Sequence, residues 1–132
     1  MRAAQEFLKK EDIAHIKGWT VSGASKRGWT TWLVGATRCD SCAAKILGII
    51  PLVPIVPDII GEVHRQWQSY NGFTFAFTDY TSVNLTEKMD EPKTKKMFSI
   101  IDPQSYFGDR LAEIPKLVVV TSDDEFMSMD WT

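Results

Sequence analysis

The sequence predicts an α/β fold built on parallel strands, and three observations carry that expectation. Two nearly continuous apolar runs, Ile46-Leu-Gly-Ile-Ile-Pro-Leu-Val-Pro54 and Lys116-Leu-Val-Val-Val-Thr121, suit strands covered on both faces by helices. A third segment, Trp19-Thr-Val-Ser-Gly23, has the β-branched and aromatic content of a short strand and leads into helix-compatible sequence. The resulting order is strand, helix, strand, long excursion, strand, which is a parallel sheet with flanking helices and a helical and loop insertion at 58–115.

The elements follow in chain order. From Arg2 to about Ile13, Ala3, Phe7, Leu8 and Ile13 recur on one helical face, with Gln5, Glu6, Lys9, Lys10 and Glu11 mostly on the other. Gly18 ends that pattern before the first strand. A second helix is expected from Arg27 or Gly28 to about Thr37, carrying Trp29, Trp32 and Leu33. Within the excursion, Ile60 to Tyr70 and Pro92 to Ile101 read as helices, with the aromatic stretch Phe73 to Tyr80 between them. Lys93, Lys95 and Lys96 lie near Asp90 and Glu91 and read as a solvated face rather than an anion site. Pro115 introduces the last strand.

Composition narrows the function classes. The 132 residues suit one domain at most. With 15 Lys and Arg against 17 Asp and Glu, the chain lacks the basic excess of an electrostatic nucleic-acid binder. Its 44% hydrophobic content excludes global disorder. No membrane segment is expected, because the longest apolar stretch, Ile46 to Ile60, is broken by Pro51, Pro54 and Pro57 before reaching the roughly 18 to 20 residues of a spanning helix. The N-terminus turns charged without an apolar h-region, so no signal peptide is read here, and one serving an exported parent protein would lie upstream. Cys39 and Cys42 stand alone as Cys-Asp-Ser-Cys, with no second cysteine pair and with His15 and His64 distant in sequence. A local loop disulfide or two unpaired thiols is therefore preferred to a redox or zinc site, and neither metal nor cofactor is expected.

The most informative passage is Ser22-Gly-Ala-Ser-Lys-Arg-Gly28, a serine among small residues between a strand and a helix. That is the setting of a nucleophile elbow, where a strained turn lifts the serine hydroxyl and small neighbours let strand and helix approach. Ser25 is the candidate nucleophile. The Lys26 backbone N–H, at the helix start, is the candidate oxyanion donor. The common form is Gly-x-Ser-x-Gly, whereas Arg27 holds the second glycine position and Gly28 follows. The segment Thr121-Ser-Asp-Asp-Glu-Phe126 places carboxylates just past the last strand, fitting the order serine, acid, histidine. Three adjacent carboxylates leave that assignment open by one residue. Both histidines precede the acid, so the general base is expected outside this chain. His64 and Trp67 in the excursion are candidates for lining a pocket, and Arg27 for an anionic substrate group or a structural ion pair. Trp67, Tyr70, Phe73, Phe75 and Phe77 suit either an apolar lid or the packing of the excursion. Asn84-Leu85-Thr86 matches the acceptor pattern for N-glycosylation.

The segment Trp19-Thr-Val-Ser-Gly-Ala-Ser-Lys-Arg-Gly-Trp-Thr-Thr-Trp-Leu33 closely resembles the PhoPQ-activated pathogenicity-related family. The likeness continues through Ile49-Ile-Pro-Leu-Val-Pro-Ile-Val-Pro-Asp58, His64 to Gly72, Ile101-Asp-Pro-Gln-Ser-Tyr106 and Asp124-Glu-Phe126. The resemblance implies a partial α/β-hydrolase fold, with residues 1–132 the central fragment of one larger domain and 58–115 a cap-like insertion. It also implies Ser25 as nucleophile and Asp124 as acid, with Asp123 standing where the family often has glycine. The expected parent is a serine hydrolase of an ester or amide, acting on a small-molecule or peptide substrate, and the isolated chain is expected to be inactive. The alternative is a catalytically silent, secreted signalling or binding protein of the proliferation-repressor kind, with a cell-surface partner.

Overall fold

The computed structural model describes residues 2–12, 16–37, 45–53 and 57–127. His15, Cys39 and Cys42 lie outside the described residues, as do the expectations that rest on them. Within those limits the fold is mixed α/β around a parallel two-stranded sheet.

Helix α1 (Arg2–Lys10) is followed by strand β1 (Trp19–Ala24), helix α2 (Lys26–Ala36) and strand β2 (Ile46–Leu52). The excursion contributes α3 (Ile59–Tyr70), α4 (Thr78–Ser82), α5 (Pro92–Ile101) and α6 (Arg110–Glu113), joined by 3-10 turns at Phe75–Phe77, Thr86–Lys88 and Pro103–Tyr106. Local chemistry explains the boundaries. Asp58 caps α3 by accepting the Gly61 N–H at 3.0 Å, and Asn71 ends it in the left-handed conformation. Pro92 opens α5, where its missing N–H is not needed. The exposed face of α5 carries Lys93, Lys95 and Lys96, while Thr94 and Phe98 are buried.

β1 and β2 pair in parallel, with Val21 opposite Ile49 and Gly23 opposite Pro51. On its other edge β2 meets residues 116–119, again in parallel, through bridges Ile49 to Lys116 and Leu52 to Val119. The sequence predicts a continuous strand from Lys116 to Thr121, and Pro51 explains the difference. The Ile49 N–H donates to Pro115, Leu117 donates to Ile49, Val119 donates to Pro51 and Val53 donates to Val119. The missing rung is the one Pro51 would give to the Leu117 carbonyl, because proline has no N–H. One ladder is thereby split into two bridges.

Two apolar clusters hold these parts together. In the first, Trp32 and Ala36 of α2 pack on Ile49 of β2 and Leu111 of α6, flanked by Phe107, Ile114 and Val118. Gly35 makes this approach feasible, since a Cβ there would stand 3.0 Å from two Ile49 methyl carbons and 3.3 Å from Leu111. Arg110 donates from Nη1 to the Ala36 carbonyl at 3.3 Å, placing a cation at the α2 C-terminus. The second cluster joins Ile59 and Val63 of α3 to Phe77, Met89, Phe98 and Met127, with Trp29 and Phe126 packed against it. Cover on both sheet faces, expected from the apolar runs, is not found among the described residues: Leu47 is exposed and Leu117 is 61% exposed.

Candidate functional site

Ser25 sits between the last residue of β1 and the first of α2, with φ 53° and ψ −123°. This sparsely populated backbone region costs a non-glycine residue on the order of 1–3 kcal/mol, so the surroundings must enforce it. They do so from both sides. The Ser25 N–H donates to the Leu52 carbonyl at 3.0 Å, and its carbonyl accepts the Trp29 N–H at 3.1 Å, continuing the helix. The side chain is exposed, and no described residue hydrogen bonds to its hydroxyl.

The small residue two before Ser25 has a steric cause. A Cβ on Gly23 would stand 2.6 Å from the Arg27 carbonyl oxygen and 2.8 Å from its carbon. Thr31 Oγ1 holds that oxygen in place at 2.8 Å. Strand and helix therefore cross here in backbone contact, with Arg27 occupying a place usual for glycine in such turns. Replacing Ser25 with glycine is expected to stabilise the chain by about 1 kcal/mol, because the strain relieved outweighs the entropy that glycine adds to the unfolded chain. Chemical denaturation of the Ser25→Gly variant checks this.

The electrostatics of α2 depart from the usual rule. A helix N-terminus carries partial positive charge and favours acidic side chains, yet the first turn of α2 has none and begins Lys26-Arg27. Both side chains are exposed beside Ser25. As the first helical residue, Lys26 has an N–H with no intrahelical acceptor. The turn thus places a backbone donor, a helix dipole and two cations beside the Ser25 hydroxyl.

Asp124 follows residues 116–119 as Ser25 follows β1. Since β2 lies between those parallel segments, both residues belong to the C-terminal end of the sheet, where ligands bind in open α/β folds. Two inter-strand spacings put the segments about 10 Å apart. Asp124 is half-buried, and its Oδ1 accepts the N–H groups of Phe126 at 2.9 Å and Met127 at 3.1 Å. Its Oδ2 takes no hydrogen bond from the described residues. Asp123 and Glu125 are exposed.

The polar residues that fix this acidic loop, Gln66 and Thr74, are not among the candidates the sequence offers. Gln66, 2% exposed on α3, donates from Nε2 to the carbonyls of Glu125 at 3.2 Å and Phe126 at 3.3 Å. Thr74 donates its hydroxyl to the same Glu125 carbonyl. Phe126 stacks on Phe77 with ring centroids 4.6 Å apart and packs obliquely on Tyr80. No sequence signal marks Gln66, because its partners are some sixty residues away. Trp29 ties the serine side to the same cluster by donating its indole N–H to the Ile101 carbonyl at 2.6 Å. Next to it, buried Asp102 accepts the N–H groups of Asp58, Ile59 and Gln104, capping α3 and the following 3-10 turn together. Burial raises the Asp102 carboxyl above its ordinary range, against the opposing pull of those three donors.

The excursion candidates are placed otherwise. His64 is exposed and pairs through Nε2 with Asp90 at 3.2 Å. Asp90 also takes Lys95 at 2.8 Å, and this pairing lowers its carboxyl below the ordinary range. Trp67 is 54% exposed with its ring tilted against Phe73. The aromatic set divides, with Phe77 in the core, Phe73 half-buried, and Trp67, Tyr70 and Phe75 exposed. Among the described residues no group of three or more His, Cys, Asp or Glu side chains is gathered for a metal, and no helix is long and apolar enough to cross a membrane.

Comparison with known proteins adds family membership to this geometry. The curated Autocrine proliferation repressor protein A of Dictyostelium discoideum is 35% identical over 130 residues, which are 98% of this chain and 25% of that protein. The chain therefore spans about a quarter of that relative's length. No solved structure matches. The family described as PhoPQ-activated pathogenicity-related protein matches residues 1–132, and the chain belongs to that family.

Proposed function

We propose that this chain is the central part of an α/β-hydrolase-like serine hydrolase, with Ser25 as nucleophile, Asp124 as acid, and 58–115 as a cap-like insertion. The strained backbone of Ser25 at the strand-to-helix turn carries the reading. In the proposed reaction Ser25 Oγ attacks an ester or amide carbonyl, forming the acyl–oxygen bond while its proton passes to a histidine supplied from beyond residue 132. That histidine returns the proton to the leaving group as the acyl bond to it breaks, and water then releases the acyl group by the same route. Asp124 holds the imidazole through the open Oδ2, and the roughly 10 Å between the two flanking segments leaves space for the ring. The Lys26 N–H stabilises the oxyanion, with the positive field of Lys26 and Arg27 behind it. Arg27 favours substrates with an anionic group near the reacting carbonyl.

A fluorophosphonate probe on the full-length protein tests the assignment. Labelling is expected on Ser25 and absent in Ser25→Ala; labelling that persists in that variant sinks it. Lys26→Glu is expected to slow labelling while stabilising the helix by about 0.3–1 kcal/mol, since an acidic side chain complements the dipole that the cation opposes. Comparing labelling rate with thermal unfolding separates the two effects.

A second reading is favoured by the relative's name, which describes a repressor of proliferation. On that reading the scaffold serves binding or signalling without turnover. Ser25→Ala in the full-length protein would then leave cell binding and proliferation arrest intact.

A further inference from the structure

We propose that Asn84 is an acceptor for an N-linked glycan when the chain is translocated into a compartment with oligosaccharyl transfer. The local structure explains part of the Asn84-Leu85-Thr86 triplet and leaves the rest for this role. Helix α4 ends in a paired-bond cap: the Asn84 N–H donates to Thr81 at 2.9 Å and the Leu85 N–H to Tyr80 at 3.0 Å. Asn84 occupies the left-handed position of that cap with φ 55°, a conformation asparagine tolerates better than most residues. Asn71 serves the same purpose after α3, so the backbone accounts for an asparagine at both helix ends.

It does not account for Thr86. Asn71 is followed two residues later by Phe73, whereas Asn84 is followed by Thr86 across a non-proline residue. Among the described residues nothing hydrogen bonds to the Thr86 hydroxyl, and it caps no helix. The hydroxyl at this offset is the feature the acceptor pattern requires. Asn84 is also built to carry a large substituent. It is exposed beside Val83, itself 65% exposed, and its side-chain amide makes no hydrogen bond with the described residues. Leu85 meanwhile packs against the second cluster and anchors the turn. Substitution on Nδ2 therefore breaks no internal bond and directs the glycan into solvent.

The donor is a lipid-pyrophosphate-linked oligosaccharide. Asn84 Nδ2 forms the bond to the anomeric carbon, the carbon–oxygen bond to pyrophosphate breaks, and Nδ2 gives up one proton. No redox partner is involved. Translation of the full-length protein, behind an export signal, into endoplasmic-reticulum microsomes tests the site before folding has any influence. Asn84→Gly preserves the left-handed cap and removes the acceptor; Thr86→Val removes the hydroxyl with Asn84 intact; Thr86→Ser keeps the pattern. Wild type and Thr86→Ser are expected to carry one glycan step, removable by peptide N-glycosidase, that Asn84→Gly and Thr86→Val lack. Protease-protected, translocated wild type that migrates with Asn84→Gly would overturn the proposal.

Discussion

Asp102→Ala should destabilise the chain by about 2–4 kcal/mol, because it strips the acceptor from three backbone N–H groups at once. Ile59 N–H meets Oδ2 at 2.7 Å, while Asp58 and Gln104 share Oδ1 at 3.1 and 2.9 Å. A buried donor left without a partner costs roughly 1–3 kcal/mol, and the Ile59 donor is buried. Urea denaturation measures the loss, with an unchanged slope showing that the folded state keeps its extent. The side chain also has a pH signature. Burial raises its carboxyl above the ordinary value of 3.8, so the folded chain holds that proton more tightly than the unfolded one. Its contribution is fully present below about that ordinary value and is lost as pH rises through the raised folded value. Asp102→Asn, which does not ionise, should lack this dependence. Relative to it, the wild type should gain stability as pH falls from neutrality, read as the difference between two denaturation series.

Gly23→Ala should cost about 3 kcal/mol or more and disable the serine turn. The added Cβ would lie 2.6 Å from the Arg27 carbonyl oxygen and 2.8 Å from both its carbonyl carbon and its Cβ, atoms fixed by the helix backbone that cannot swing aside as the end of a side chain can. Overpacking alone costs about 1–3 kcal/mol. Relief here requires moving the first turn of α2, which also carries the Trp29 N–H bond to the Ser25 carbonyl and the Thr31 bond to Arg27. Thermal unfolding and fluorophosphonate labelling of the full-length variant should therefore fall together. Retained labelling at wild-type rate would show that the turn does not depend on this contact.

What the sequence made legible was local. Ser25 between Gly23 and a helix start could be read because strain, small residues and dipole all act within a few positions. Asp58 before α3 and Pro92 opening α5 are likewise near-neighbour signals. Pro51 was visible, yet its effect needed knowledge of which strand it faces. The apolar run at 116–121 reads as a strand buried on both faces, but Leu117 is exposed. Gln66 and Thr74 act across long sequence separations, as does Asp102 toward Asp58 and Ile59, so no pattern of spacing marks those contacts; the Asp102 bond to Gln104 is its local part. Among the three adjacent carboxylates, only the turn geometry separates Asp124 from Asp123 and Glu125.

The rung that Pro51 withholds divides the molecule mechanically. The serine end is riveted to the sheet by a β1–β2 ladder that runs in regular register from Thr20 to Ala24, whereas the acidic end is fastened to β2 by an interrupted one and to the excursion by Gln66 and Thr74. Amides at 117–119 should accordingly open to solvent exchange sooner than those of β1, and together with α3. Such a joint would let the two halves of the proposed centre respond to different neighbours: the serine to the sheet, the carboxylate to whatever moves the helices above it.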